Sequence, residues 1–182
     1  MFLTIKTKIM KTSILIISIV CSLHLNAQNI NCPPGSNMSA PELDKFVGTW
    51  RWTSGTDTLT IYLYKQHIPI VPGCNSPSIV GWHKYVKNGV FIEGTEQYVG
   101  KPYFNNSHAT IVAGAEPDNP NAIEISGGSS EETKHKSFSI TLKMTNSSYT
   151  NMSWKIRNSY GLQSQNFDYG STLPWNLILT KL

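Results

Sequence analysis

The chain has 182 residues, of which 40% are hydrophobic and 14% charged, and its formal net charge is +4. Lys6, Lys8 and Lys11 lie in the N-terminal segment with no acidic residue beside them, so residues 28–182 carry a net charge of only about +1. This near-neutral balance gives no support for a nucleic-acid partner, which calls for a concentrated basic patch.

Residues 1–27 have the pattern of a secretory signal peptide. The three lysines precede an apolar run over residues 14–23, and Ala27 supplies the small residue expected before a cleavage site. We therefore predict cleavage between Ala27 and Gln28 and export to the periplasm, the outer surface or the medium of a Gram-negative bacterium. The run is short for a membrane span, so we expect no integral span after cleavage, with an uncleaved anchor as the alternative.

Residues 28–44 read as an N-terminal tail with a short helix, and residues 45–182 as a single β domain. Ser39 and Pro41 are typical of a helix start, which favours a brief helical turn over residues 39–45. This turn would cover one end of a barrel.

The first two predicted strands each show alternation of period two. Phe46, Gly48, Trp50 and Trp52 fall on one face of the first, and aliphatic residues alternate with threonine and tyrosine over residues 58–64 in the second. Each strand would bury one face.

A loop containing several prolines is predicted over residues 67–77, followed by a strand over residues 79–86. Asn88 and Gly89 both tolerate positive φ, which favours a tight hairpin into a strand over residues 90–92.

Five further strands complete the prediction, giving about nine in all. They lie at residues 110–113, 122–126, 137–145, 149–157 and 175–181. The fold class is therefore all-β, most simply an antiparallel up-and-down barrel of about 8 to 9 strands. A two-sheet β-sandwich is the alternative.

The segments Leu43–Trp50 and Trp175–Lys181 carry a resemblance to a known family. The first resembles the opening block of lipocalins and related calycins, and the second resembles their closing strand with its late basic residue. The resemblance implies a lipocalin-like barrel in which Gly48 belongs to the motif, Trp50 crosses the barrel floor and Lys181 packs on its ring. Through Gly48–Trp52 and Gly81–Tyr85, residues 28–182 also resemble a family of small exported bacterial proteins of unknown function.

Two of the three cysteines, Cys32 and Cys74, would remain after cleavage. Export makes a disulfide between them plausible, and it would tie the N-terminal tail to the domain. Their wide separation does not match a zinc-binding spacing, so we favour the disulfide over a metal or redox role.

No metal, nucleotide or nucleophile motif is present, so we expect no cofactor and no bound metal. His83 is the histidine of most interest, because Trp82 and Tyr85 stand beside it in the sequence. A hydrolase centred near His83 is therefore a third hypothesis for the function.

The aromatic residues provide the first two hypotheses. Small barrels either fill their interiors or hold one small molecule, and the leading hypothesis is non-enzymatic binding of a small, partly apolar ligand. An exposed aromatic patch over a filled core would instead favour a glycan- or protein-binding surface. The candidate ligand-binding residues are Trp52, Trp82, His83, Tyr85 and Trp154. The sequence gives no indication of oligomeric state.

Overall fold

The structure, a computed structural model, describes residues 36–104, 107–116, 119–159 and 168–182. The predicted signal peptide and Cys32 lie outside the described residues, so the cleavage site and the Cys32–Cys74 disulfide stay predictions.

Within these residues the chain forms strands and two short 3-10 helices, η1 and η2. In chain order they are β1 (Ser36–Asn37), η1 (Pro41–Phe46), β2 (Gly48–Ser54), β3 (Asp57–Val71), β4 (Cys74–Lys87), β5 (Val90–Gly94), η2 (Glu96–Tyr98), β6 (Ile111–Gly114), β7 (Glu124–Glu131), β8 (Lys136–Met144), β9 (Asn151–Asn158) and β10 (Asn176–Lys181).

Eight antiparallel strands close into a barrel. The strands β2, β3, β4, β6, β7, β8, β9 and β10 pair in this order, and β10 pairs with β2 to complete the circle. The short β5 pairs only with β4, and β1 runs parallel to the start of β4. The predicted all-β barrel is confirmed, and the closure rules out the sandwich alternative.

The hairpin predicted at Asn88 and Gly89 is present, and both residues have positive φ, 53° and 75°. The loop predicted over residues 67–77 is wrong, because β3 and β4 extend through it to a turn at Pro72 and Gly73. Pro69 is tolerated because the register shifts between Pro69 and Val71, and an irregularity of this kind accommodates a residue that has no N–H to donate.

The short helix is also present, although η1 begins at Pro41 and its N-cap Ala40 has no side-chain cap. Leu43 and Phe46 of this helix are buried in the core. We call the barrel end beside η1, where β2 begins, the floor, and the opposite end, where β2 finishes and β10 begins, the mouth.

Alternation sends one residue in two to the barrel interior. Gly81 is one of them, and a Cβ built there would lie 2.6 Å from Leu63 Cδ2 and 3.1 Å from Ile111 Cβ, so a glycine makes room for both aliphatic side chains. The interior is lined chiefly by Trp50, Leu59, Ile61, Leu63, Ile79, Ile111, Ile125, Phe138, Ile140, Leu142, Met152, Trp154, Ile156 and Leu179, all at most 2% exposed.

Candidate functional site

The floor is built around Trp50. Its Nε1 donates a hydrogen bond to the Phe46 carbonyl at 2.9 Å, and Lys181 Nζ lies 5.2 Å from the centroid of its ring. Lys181 Nζ also donates to the Lys45 carbonyl at 3.3 Å. This is the contact that the lipocalin resemblance implies for Trp50 and Lys181.

Gly48 allows the Lys181 side chain to pass. It has a φ of +132°, and a Cβ at this position would lie 2.9 Å from Lys181 Cε. A residue with a side chain would be strained in this backbone conformation and would displace the lysine. Gly48, Trp50 and Lys181 therefore act together to close the floor.

The barrel interior is packed with side chains. A void large enough for water would leave accessible surface on the residues around it, yet Ile61, Leu142 and Trp154 are 0% exposed and Ile140 is 1% exposed. An eight-stranded barrel is either filled by its side chains or holds one small ligand, and the burial of these residues shows that this barrel is filled. The described residues therefore leave no room for a ligand around the barrel axis.

A polar group interrupts the apolar interior towards the mouth. His83 is fully buried, its Nδ1 lies 2.7 Å from Thr110 Oγ1, and its Nε2 lies 2.7 Å from Glu93 Oε1. The other carboxylate oxygen, Oε2, accepts the Thr133 N–H at 3.4 Å. Both ring nitrogens of His83 are thus engaged.

The environment of Glu93 keeps it ionised. Burial by itself would raise the pKa of this carboxyl, but the hydrogen bonds from His83 and Thr133 outweigh burial and hold the pKa below its ordinary value. The hydroxyl, imidazole and carboxylate resemble a catalytic triad in composition. However, Thr110 is 4% exposed and Glu93 is also 4% exposed, so a substrate could not reach the group without local opening.

A second buried carboxylate fastens residues 168–175, which we call the mouth cap because they precede β10 at that end. Glu131, only 1% exposed, accepts hydrogen bonds at Oε2 from Ser171 Oγ at 3.1 Å, the Thr172 N–H at 2.8 Å and the Leu173 N–H at 3.4 Å. Trp154 Nε1 donates to the Pro174 carbonyl at 2.9 Å. These bonds hold the cap against the barrel.

Trp82 lies on the outer face of β4, the face opposite His83. It is buried, and its Nε1 donates to the Ser107 carbonyl at 2.6 Å. Tyr64 packs edge-on against its ring at 5.9 Å. Trp82 and His83 therefore do not line one cavity.

The wall opens between β2 and β10 near the mouth. Their register ends at the pairs Thr180↔Arg51 and Lys181↔Trp50, so the last part of β2 and the first part of β10 are not paired. A pocket of about 600 Å³, open to solvent, occupies this gap. We call it the β2/β10 cleft; it is lined by Trp52, Ser153, Trp154, Lys155, Asn176, Leu177 and Ile178.

The structure separates the five predicted ligand-binding residues into three places. Trp52, which is partly exposed, and Trp154, which is buried beneath, both lie at the cleft. His83 and Tyr85 face the packed interior, and Trp82 lies on the outer face. The cleft is thus the place that combines predicted residues with open space.

Sequence reasoning missed the cleft residues Lys155, Asn176 and Leu177 and the His83 partners Thr110 and Glu93. Alternation along β9 and β10 predicts that Lys155 faces outward and Leu177 faces inward, but it does not predict that β2 and β10 separate at this point. The partners of His83 come from other strands or loops, so spacing along the chain could not assemble them.

The profile of one family matches residues 10–182. The chain belongs to DUF6705, a family of unknown function. The closed barrel of this DUF6705 chain is consistent with a lipocalin-like barrel. No curated protein and no solved structure matches the chain.

Two further findings concern the described part of the DUF6705 chain. None of its helices is long and apolar enough to cross a lipid bilayer. Within the same residues, no three His, Cys, Asp or Glu side chains are grouped closely enough to hold a metal ion.

Proposed function

We propose that this DUF6705 chain is an exported, non-enzymatic binding protein that holds a small, partly apolar ligand in the β2/β10 cleft. The observation that carries this proposal is an open pocket of about 600 Å³ with the partly exposed Trp52 at the point where the barrel wall parts. Small-molecule sites usually have volumes of about 300–1,000 Å³ and mostly apolar linings with a few polar groups.

The cleft combines apolar and polar groups in this way. Trp52, Leu177 and Ile178 supply apolar surface, and Lys155 and Asn176 supply donors at the rim. Ile178 is 51% exposed, so a ligand that covers it removes aliphatic surface from water. A ligand in the barrel interior has no such support, since the interior is filled.

Two experiments test the proposal. The first is native mass spectrometry of the protein purified from its host, and the second is titration with a fluorescent amphiphile such as anilinonaphthalene sulfonate. We expect a stoichiometric adduct, and we expect Trp52→Ala to weaken binding about tenfold or more, because a large buried aromatic contact is worth about 1.5–3 kcal/mol. Tyr64→Ala is the matched control, since it removes another exposed aromatic away from the cleft. Equal binding by wild type and Trp52→Ala would overturn the proposal, as would preferential binding of an oligosaccharide that needs neither Trp52 nor Leu177.

A hydrolase is the second candidate, and the pairing of His83 with Thr110 and Glu93 at 2.7 Å each is the observation that favours it. A fluorophosphonate probe distinguishes the two functions. A binding protein with a buried polar group stays unlabelled, whereas labelling that is lost in Thr110→Val would establish the enzyme.

A further inference from the structure

We propose that the ligand of the β2/β10 cleft carries one carboxylate on a single acyl chain, and that Lys155 binds this carboxylate. The inference rests on the proposed function, because it concerns the ligand of the same cleft.

Lys155 is placed at the rim of the cleft without an acidic partner. It lies on the exposed face of β9, opposite Asn176 in the register, and lines the cleft. Within the described ranges no carboxylate pairs with Lys155, whereas Lys143 on the neighbouring strand β8 pairs with Glu124 at 3.2 Å. The Lys155 ammonium group is therefore available to a ligand.

The barrel wall around the cleft is positively charged. The outward-facing positions of β2, β9 and β10 hold three cationic residues and no carboxylate; these positions are Thr49, Arg51, Thr53, Asn151, Ser153, Lys155, Arg157, Asn176, Ile178 and Thr180. Like charges on adjacent strands produce a local potential that attracts an anion. Arg51 Nε already donates to Thr60 Oγ1 at 3.2 Å, which leaves Lys155 as the cation that lines the cleft.

The backbone of β10 offers a second donor. The Leu182 N–H donates to the Thr49 carbonyl at 2.9 Å, so antiparallel alternation directs the N–H of Thr180 and of Ile178 towards β2 as well. At Ile178 the register with β2 has already ended. This N–H and the Lys155 ammonium group are both suited to a carboxylate, and the surface of Leu177 and Trp52 is suited to an acyl chain.

The expected contribution of charge is modest. An exposed ion pair changes affinity about two- to fivefold, while the buried apolar area provides most of the binding. The prediction is therefore a small, salt-sensitive preference for an anionic amphiphile over a neutral one of equal chain length.

Titration with decanoate, 1-decanol and decyltrimethylammonium tests this preference. Trp52 and Trp175 are the partly exposed tryptophans, so a Trp175→Phe background makes Trp52 fluorescence the reporter of the cleft. We expect decanoate to bind about two- to fivefold more tightly than decanol at low salt, and decyltrimethylammonium to bind most weakly.

Lys155→Gln should reduce the preference for decanoate over decanol, because it removes the cation that lines the cleft. Lys87→Gln is the matched control, because Lys87 is an exposed lysine at the end of β4 and does not line the cleft. Equal binding of decanoate and decanol to the wild type, or an unchanged preference in Lys155→Gln, overturns this inference and leaves the proposed function intact. Failure of all three amphiphiles to affect Trp52 overturns the proposed function as well.

Discussion

Replacement of His83 by leucine tests whether the buried polar group of the interior holds the barrel together. In the wild type the imidazole connects Glu93 Oε1 and Thr110 Oγ1, each at 2.7 Å. Leucine removes both hydrogen bonds and leaves the carboxylate, which is 4% exposed, with its hydrogen bonds from Thr133. We therefore expect a cost far above that of a surface substitution.

The magnitude follows from the burial of the pair. A buried acceptor that loses its hydrogen-bond donor costs about 1–3 kcal/mol, and a charged acceptor costs more, so we expect His83→Leu to lower the free energy of unfolding by about 3 kcal/mol or more. Glu93→Gln keeps the shape and one acceptor, so we expect a smaller loss of about 1–2 kcal/mol. The exposed pair Lys143–Glu124 serves as control, and Lys143→Gln should cost less than about 1 kcal/mol.

Urea denaturation at several pH values measures these differences. The pKa of Glu93 in the folded state lies below its ordinary value of 4.5, so the unfolded state binds the proton more tightly. The stability that Glu93 contributes is therefore complete above about pH 5 and is lost as the pH falls through the folded-state pKa. The free-energy difference between wild type and Glu93→Gln should shrink in acid. If His83→Leu unfolds at the wild-type urea concentration, the pair does not stabilise the barrel and the reasoning fails.

Three further predictions concern the floor, the mouth cap and the N-terminus. Gly48→Ala should lower the free energy of unfolding by about 1–3 kcal/mol, because the new Cβ would lie 2.9 Å from Lys181 Cε at a φ of +132°. Gly55→Ala is the control and should cost less, because Gly55 has a φ of +59° and open space around the position of the Cβ. Equal costs of the two substitutions in urea titrations would contradict a close contact with Lys181. Glu131→Gln should weaken the attachment of the mouth cap, so the amides of Thr172 and Leu173 should exchange faster with deuterium while the amides of β9 keep their rates. Unchanged protection of Thr172 and Leu173 would show that Glu131 does not hold the cap. The protein isolated from its host should begin at Gln28 by N-terminal sequencing, and its intact mass before reduction should lack the thiol hydrogens of Cys32 and Cys74. A chain that retains residues 1–27 would disprove cleavage.

The fold was predictable from local patterns. Alternation in the first two strands, the positive-φ pair at Asn88 and Gly89, and the regular spacing of later strands all report on backbone geometry that neighbouring residues determine. The failure at residues 67–77 has a local cause too. Pro69 and Pro77 suggested a loop, but a strand tolerates proline where a bulge or an unpaired edge requires no N–H from that residue.

The site was much less predictable, because it depends on which strands separate. Trp52 and Trp154 were predicted to bind ligand from residue type, but so was Trp82, which occupies the other side of the wall. Alternation distinguishes these faces once a register is known, and a register shift of one residue exchanges them. The position where β2 and β10 cease to pair depends on packing across the barrel, which no segment of the sequence encodes alone.

The opening between β2 and β10 has a steric explanation that can be tested. Trp52 faces inward and packs against the core, while Trp154 and Leu177 occupy the facing side of the same region. An eight-stranded barrel has little spare interior width, so a second indole beside Trp154 near the mouth would keep the wall from closing.

Trp52→Val should therefore let the strands pair further. Extension of the register would place Thr53 opposite Ile178 as a hydrogen-bonded pair, so both amides should become protected from hydrogen exchange, and amphiphile binding should disappear. Trp175→Phe is the control, because it trims an aromatic that packs on Phe138 and does not line the cleft. If the Ile178 amide stays unprotected in Trp52→Val, the bulk of Trp52 is not the cause. The attachment of Trp154 to the Pro174 carbonyl of the mouth cap, at 2.9 Å, would then be what holds β10 away from β2.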